Sequence, residues 1–353
     1  MMESKMVYAP IYITTLCRDK HFIREMESLK KNSWASYTDI YIAVDYPLND
    51  DHWNGYRRII EYLNEEDFSV FASFTVIKRE KNIGSSKNSK LMRDYILEKY
   101  DRWIYAEDDL EFSPNFIEYM DKCLMEFYDD EDVLAINGYS YPIEWCCHDG
   151  ASAIRQKWTC STWGIGHWKY KYTEVREKII SGYLHNCFDI VYKDGRLNKL
   201  LRGRYFDYIT YALATDKGGL HVRPTDVAMS IYIGIEDTYV ITPIVSKVRN
   251  YGFDGSGMYC ENINKKHANN SLSYNYDQQP IDCNTSFVID LETEDENVKQ
   301  NKMLLNSFIC VPVLYRVRGH LMLICYRVIG QERTCKLYQS LKKKYNKIRK
   351  FLR

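Results

Sequence analysis

Three consecutive carboxylates, Glu107, Asp108 and Asp109, follow a short apolar run in the segment RWIYAEDDLEFSPNFIEYM, residues 102–120. Adjacent like charges repel, so this arrangement needs a counter-ion. Mg²⁺ and Mn²⁺ prefer oxygen ligands and often combine one or two carboxylates with substrate phosphates. The acid cluster therefore indicates a divalent-cation site that holds a diphosphate. The alternative is that Asp109 and Glu111 only occupy the first turn of the following helix, where the helix dipole favours acids.

The elements that must position these acids alternate between strand-like and helix-like patterns. Apolar, β-branched runs typical of buried strands occupy residues 10–16, 39–45, 69–77, 102–106 and 132–138. Between them, apolar residues recur at helical spacing, and Ser113-Pro114 marks the start of the helix after the acids. This alternation predicts an α/β fold with a mostly parallel central sheet covered by helices.

Polar side chains follow several of the predicted strands. Arg18 comes just after the first strand, Asp45 ends the second, and Glu107–Asp109 follow the fourth. Ligands of open α/β sheets bind at the carboxyl ends of the strands. We therefore expect these residues to share one edge of the sheet.

Composition excludes some classes of function. The 353 residues contain 48 Lys and Arg and 48 Asp and Glu, and this balance argues against a general nucleic-acid binder. Eleven dispersed cysteines without metal-ligand spacing fit a reducing cytoplasm. The N-terminal segment has no apolar core of a signal peptide, and charges interrupt each apolar run before it reaches membrane-spanning length. We expect a cytoplasmic protein, at most peripheral to a membrane.

Several segments together resemble the GT-A-fold glycosyltransferases. YAEDDLEFSPNFIEYM resembles the EDD-L-E-x-x-P-x-F-x-E-Y segment of the inverting N-acetylglucosaminyltransferase I family. TTLCRDKH, IAVDY, INGYSYP and TWGIGHW follow the family's order along the chain. TPIVSKVRNYGFDGSGMYC, residues 242–260, resembles a segment of bacterial polysaccharide sugar transferases. The resemblance covers residues 8 to about 260.

The resemblance implies a role for individual residues of the donor site. Asp109 would bind Mn²⁺ or Mg²⁺ directly, and Glu107 and Asp108 would face the sugar and ribose of a nucleotide-sugar donor, most simply a UDP-sugar. Arg18 and Asp45 would help to hold the nucleoside. An ordinary surface arginine and a turn-forming aspartate are the alternative readings of these last two residues.

The resemblance also implies residues near the acceptor. Trp163, Gly164, Asp254 and Gly255 would lie in loops that contact the ligands, and Asp207 in GRYFDYITYAL would be the general base that activates an acceptor hydroxyl. The alternatives are a core position for Trp163, an ordinary glycine-rich turn for GFDGSG, and a helix cap or an ion pair with Arg204 for Asp207. This segment has one acid where the animal enzymes have two. Rival bases are therefore Glu236, Asp237 and Asp254.

The expected domain organisation follows these motifs. Residues 1–260 would form the glycosyltransferase domain, with a nucleotide-binding half, 1–138, and an acceptor half, 139–260. The polar residues 261–300 would be a loop or linker, and 301–353 a basic helical tail. Leu337, Leu341 and later apolar residues recur at helical spacing in this tail. They indicate either a peripheral contact with anionic lipid or a helix packed on the domain.

The sequence therefore predicts a metal-dependent transferase that moves a sugar to a hydroxyl of a glycan or lipid-linked acceptor, with inversion, in surface polysaccharide synthesis. One alternative is a sugar-1-phosphate nucleotidyltransferase, although TTLCRDKH lacks the glycine-rich loop of that class. The other is a non-catalytic protein of the same fold that binds a nucleotide sugar or a carbohydrate.

Overall fold

A computed structural model of the protein describes residues 6–183, 226–257 and 278–308, and residues 313–330, 332–334, 336–341 and 344 of the C-terminal part. The chain divides into two compact units. The first comprises Met1–Thr173 and Thr238–Ile309, and the second comprises Glu174–Asp237 and Cys310–Arg353. Both units are discontinuous in sequence. The boundaries at residues 138, 260 and 300 stay a prediction.

Strands and helices alternate through the first part of the chain, as the periodicity predicts. Four of the strands, β1, β2, β4 and β6, are almost entirely buried, which is typical of the middle of a parallel sheet. In chain order the elements are β1 (Ile11–Thr15), α1 (Asp19–Lys30), a 3₁₀ turn (Ala35–Tyr37), β2 (Asp39–Val44), α2 (His52–Glu65), β3 (Ser73–Lys78), α3 (Ser85–Leu97), β4 (Arg102–Glu107), β5 (Leu110–Phe112), α4 (Phe116–Glu126) and β6 (Val133–Asn137).

Among the described residues, the remaining elements are short strands and further helices, and they are distributed over the two units. The first unit contains the strands β7 (Ala153–Gln156), β8 (Ile165–Trp168), β9 (Tyr239–Pro243), β10 (Val248–Asn250) and β11 (Leu291–Glu292). It also contains the helix α7 (Asp295–Phe308), which follows α5 and α6 in the sequence. Helix α5 (Lys169–Ile180) runs from the first unit into the second, which also contains α6 (Asp226–Glu236) and α8 (Val313–Ile329).

A nine-stranded sheet organises the first unit. Its order is β11-β7-β9-β6-β8-β4-β1-β2-β3, and the neighbours β4-β1, β1-β2, β2-β3, β6-β9 and β11-β7 are parallel. Strands β8 and β7 introduce the antiparallel pairs. The predicted α/β class with a mostly parallel central sheet is confirmed.

The segment between β4 and α4 differs in detail from its prediction. The acids do not lead directly into a helix at Ser113, because β5 lies between them and α4 begins at Phe116. Strand β5 pairs antiparallel with β10, with Glu111 opposite Arg249. Leu110 and Phe112 are buried while Glu111 is not, and this alternation explains the short strand.

The helices cover the sheet with apolar side chains. Phe22, Met26 and Leu29 of α1 are buried, and so are Phe116 and Met120 of α4. In the part of the chain that the structure describes, no helix combines the length and the apolar character needed to cross a bilayer.

Candidate functional site

The carboxyl ends of β1, β2 and β4 meet at one edge of the sheet. Thr14 of β1 lies opposite Glu107 of β4, and Thr15 lies opposite Val44 of β2. The backbone N–H of Asp45 also donates to the Thr15 carbonyl at 2.9 Å. The shared edge predicted from the strand order is therefore present.

Arg18 joins the two aspartates of the acid cluster. Its Nη1 donates to Oδ2 of Asp109 at 2.7 Å, and its Nη2 forms an ion pair with Oδ1 of Asp108. The hydroxyl of Thr15 donates to the other Asp108 oxygen at 2.8 Å. Arg18 is the residue that precedes α1, so the turn between β1 and α1 brings it to the end of β4. The counter-ion that the adjacent acids need is provided by the protein itself.

Burial sets the electrostatics of this cluster. Asp108 and Asp109 are 6% and 4% exposed. Burial raises the pKa of Asp109 above its ordinary value, and the Arg18 guanidinium opposes that shift. Burial disfavours the charged form of Arg18, but the two carboxylates outweigh it and raise the Arg18 pKa. Arg18 is therefore cationic at any physiological pH.

Strand β10 and the residues after it hold Asp109 from the other side. The Asn250 side chain donates to Oδ1 of Asp109 at 3.1 Å, and the Tyr251 N–H donates to the Asp109 carbonyl at 2.8 Å. Gly252 approaches so closely that a Cβ at this position would overlap the Asp109 carboxylate. Only glycine fits there, so the start of the GFDGSG segment is shaped around Asp109.

The GFDGSG segment carries a second polar contact beside the cluster. Asp254 Oδ2 lies 2.9 Å from Nε2 of His21 in α1, and Ser256 Oγ lies 3.4 Å from the same nitrogen. Gly255 has φ of +90°, a left-handed conformation that glycine adopts without strain. Hydrogen bonds from Ser256 and His21 outweigh burial and lower the pKa of Asp254 to about 2.

Asp45 is engaged with backbone groups of a neighbouring turn. Its Oδ1 accepts from the N–H groups of Tyr46 at 2.9 Å and Ile83 at 3.0 Å, and its Oδ2 accepts from Gly84 at 2.8 Å. The side chain is buried. Asp45 thus stabilises the turn before α3 at the same sheet edge. This is the role of a turn-forming aspartate, the alternative given for Asp45 above. A carboxylate has about four acceptor positions, so this structural role leaves capacity for a ligand.

Glu107 connects the cluster to the loop before β8. Its Oε1 accepts from the Thr162 hydroxyl at 3.1 Å. Trp163 is half-buried, and its ring lies 4.6 Å from that of Tyr139 and 5.8 Å from that of Phe253. Gly164 has φ of +62°, and a Cβ at this position would lie 3.0 Å from the side chains of Phe116 and Val248. This loop therefore lies between the acid-bearing strand and the GFDGSG segment.

Glu25 belongs to this site although its position in the sequence did not single it out. It is fully buried in α1, and neither carboxyl oxygen has a hydrogen-bond partner among the described residues. Burial, followed by the charges of Asp108 and Asp109, raises the pKa of Glu25 well above its ordinary value. The available signal was its helical spacing from Phe22 and Leu29, which puts an acid on the buried face of α1.

The predicted base, Asp207, lies outside the described residues. Its rivals Glu236, the last residue of α6, and Asp237, the residue after it, belong to the second unit, where Glu236 accepts a hydrogen bond from Tyr183. Asp237 has φ of 60°. Asp254 belongs to the first unit, beside the acid cluster.

The oxygen donors at the sheet edge are compatible with a hard divalent cation. Among the residues that the structure describes, no group of three or more His, Cys, Asp or Glu side chains is arranged to hold a metal alone. Mg²⁺ and Mn²⁺ do not need such a group, because they complete their shell with water and substrate phosphates. Among the described residues, each Asp109 oxygen has one hydrogen-bond donor, which leaves lone pairs for a cation.

Comparisons with known proteins give structural likeness only. No protein-family model matches the chain, and no curated protein matches it by sequence. The S. aureus TarS 1–349 structure is similar to it with a TM-score of 0.33 and 12% identity, over 65% of this chain and 89% of that one. The mannosyltransferase PcManGT of Pyrobaculum calidifontis, in complex with GDP-Man and Mn²⁺, has a TM-score of 0.34 and 8% identity, over 65% and 79%.

The TarS 1–349 structure in complex with UDP-GlcNAc is similar with a TM-score of 0.32 and 14% identity, over 48% of each chain. A longer TarS chain is matched over only 30% of its length, with a TM-score of 0.31 and 13% identity. The chain thus spans less than half of these two structures. At these values the likeness assigns no activity to this protein.

Proposed function

We propose that this protein is a metal-dependent glycosyltransferase of the GT-A type. It would transfer a sugar from a nucleotide-diphospho-sugar, a UDP-sugar in the simplest case, to a hydroxyl of a glycan or lipid-linked acceptor, with inversion. The observation that carries the proposal is the buried Asp108–Asp109 pair, bridged by Arg18 where β1 and β4 end. The proposal extends to surface polysaccharide synthesis in the cytoplasm.

Asp109 is the proposed metal ligand. Its carboxylate accepts a hydrogen bond from Asn250 and lies closely against the backbone at Gly252. The orientation of the carboxylate is therefore fixed before any ligand binds. A bound Mn²⁺ or Mg²⁺ would supply positive charge to the diphosphate that leaves with the nucleotide. Because three carboxylates share one turn with one Arg18, the site has negative charge to spare for a cation.

Arg18 has a second task in this proposal. Its guanidinium presents planar donors suited to a phosphate or a base carbonyl, and its charge is retained at any physiological pH. Glu107 and Asp108 would accept hydrogen bonds from the hydroxyls of the donor sugar and ribose. Asp45 would accept one from the nucleoside while it holds the turn at Gly84.

The base that activates the acceptor is assigned to Asp207. A general base works best when its pKa is near the operating pH. The pKa of Asp254 is lowered to about 2, so this carboxylate is a poor base. We assign Asp254 instead to positioning the GFDGSG segment through His21, with Gly255 and the loop at Trp163 and Gly164 close to the donor.

The test is turnover of a panel of UDP-, GDP- and dTDP-sugars with Mn²⁺, with Mg²⁺ and with chelator. We expect metal-dependent release of one nucleoside diphosphate, and its loss in D109N. D129N is the matched control, because Asp129 is exposed and remote in sequence from the acid cluster. Release of pyrophosphate from a nucleoside triphosphate and a sugar phosphate would support the nucleotidyltransferase instead. Binding of a nucleotide sugar without any turnover would support a non-catalytic protein.

The basic C-terminal tail is a proposed peripheral contact with the membrane that carries a lipid-linked acceptor. Most of its Lys and Arg residues follow position 341 and lie largely outside the described residues. Replacement of Lys342, Lys343 and Lys344 by Glu tests this contact, because vesicle binding through the tail should then weaken.

A further inference from the structure

Helix α8 (Val313–Ile329) carries apolar side chains on two faces. Gly319, Met322 and Tyr326 are buried and form one face of the helix. A second set of large apolar side chains is exposed to solvent by half or more of its surface. This exposed stripe consists of Val313, Val317, Leu321, Ile324 and Val328.

The stripe has the spacing of a single helix face. Its members are separated by four, four, three and four residues. At about 100° per residue they fall within an arc of about 80°, roughly opposite Met322 and Tyr326. Scattered apolar residues on a surface need no explanation, but a continuous stripe of this kind marks an interaction site.

Basic residues accompany the stripe. Arg318 and Arg327 of the same helix are exposed. Residues 310–353 contain twelve Lys and Arg and only one acid, Glu332, for a net charge of +11. Since the whole chain is neutral, the first 309 residues carry −11.

This charge decides between the possible occupants of the stripe. A second copy that packed through its own α8 would bring an equal positive charge against the first, which opposes such a symmetric contact. An anionic lipid surface offers apolar chains to the stripe and negative headgroups to the basic residues. An interfacial helix combines these two features.

We propose that α8 lies in the interfacial layer of an anionic bilayer, with Val317, Leu321 and Ile324 inserted among the acyl chains. Helix α8 lies inside residues 301–353 but ahead of the basic stretch 342–353, and the proposal does not depend on the transferase proposal. In this arrangement the basic stretch would add electrostatic attraction, whereas α8 would supply the apolar contact.

The test is co-sedimentation of the full-length protein with vesicles. One set contains phosphatidylcholine alone, and the other contains phosphatidylcholine mixed with phosphatidylglycerol. We expect binding to the anionic vesicles only. The double variant L321E/I324E should weaken that binding by at least about tenfold, because two apolar side chains no longer enter the acyl layer. V288E is the matched control, because Val288 is equally exposed apolar surface outside α8.

The variants distinguish the two proposed contacts. The side chains replaced in α8 are exposed, so the melting temperatures of the variants should match that of the wild type. The milder variant L321S tests the same vesicle binding without an added charge. If L321E/I324E binds like V288E, or if the wild type binds neither vesicle, α8 is not a lipid-binding element. A wild-type dimer that L321E/I324E converts to a monomer would also overturn the proposal. Loss of binding only in K342E/K343E/K344E would assign the contact to the tail alone.

Discussion

Replacement of Arg18 by methionine removes the counter-ion of the acid cluster while keeping the length of the side chain. Asp108 and Asp109 then remain as adjacent, buried carboxylates, at 6% and 4% exposure. Removing one partner of a buried ion pair typically costs about 3–5 kcal/mol. The Arg18 side chain is itself 20% exposed, so we expect the lower end, about 3 kcal/mol of unfolding free energy at neutral pH.

The assay is urea unfolding of R18M beside R58M. Arg58 also pairs with an aspartate, Asp19, at 3.2 Å, but its side chain is 53% exposed. Such surface pairs contribute at most about 1 kcal/mol, so R58M should unfold close to the wild-type midpoint. The triple variant R18M/D108N/D109N lacks both carboxylates that Arg18 pairs with, and it should regain most of the stability that R18M loses.

A divalent cation should partly replace the missing guanidinium. Ligands that bind only the folded state stabilise it, so Mn²⁺ should raise the R18M midpoint more than the wild-type midpoint. If R18M loses no more stability than R58M, Arg18 is not the counter-ion. If Mn²⁺ leaves the R18M midpoint unchanged, the cluster does not accept a cation.

Two further substitutions test the surroundings of the cluster and the core. G252A places a Cβ against the Asp109 carboxylate, so metal-dependent nucleotide binding should fall at least about tenfold in calorimetric titration, whereas G234A, with open space around it, should bind normally. Asp121 is buried, and this burial raises its pKa to about 8, although the hydrogen bond that it accepts from the Ala9 N–H opposes the shift. An acid with a raised pKa destabilises the fold once the unfolded chain ionises, so the wild type should lose several kcal/mol between about pH 4 and pH 8. D121N should lack this pH-dependent loss of stability. An equal pH dependence of the melting temperature in both proteins would show that Asp121 does not cause it.

The arrangement of the sheet edge was predictable because it depends on local patterns. Alternating strands and helices require parallel strands, and parallel strands end at the same edge, so Arg18, Asp45 and Asp109 had to lie along one edge of the sheet. Strand register then fixes which residues are opposite, as with Thr14 and Glu107. These features need only the order of elements along the chain.

The finer geometry was not predictable in the same way. Asn250 and Gly252 reach Asp109 from about 140 residues away, through the pairing of β10 with β5. A three-residue strand has too little periodicity to be recognised alone. The ion pairs of Arg18 with Asp108 and Asp109 depend on side-chain packing at the turn. The residue types alone did not show whether Arg18 would contact a ligand or form an ion pair within the protein.

Calorimetric titration of UDP into the protein, with and without Mn²⁺, tests the central claim most directly. If Asp109 holds a cation against a nucleotide diphosphate, the wild type binds UDP only with the metal, D109N loses this binding, and D129N keeps it. Equal UDP binding in the presence of chelator, or metal-dependent binding that survives in D109N, would contradict the account.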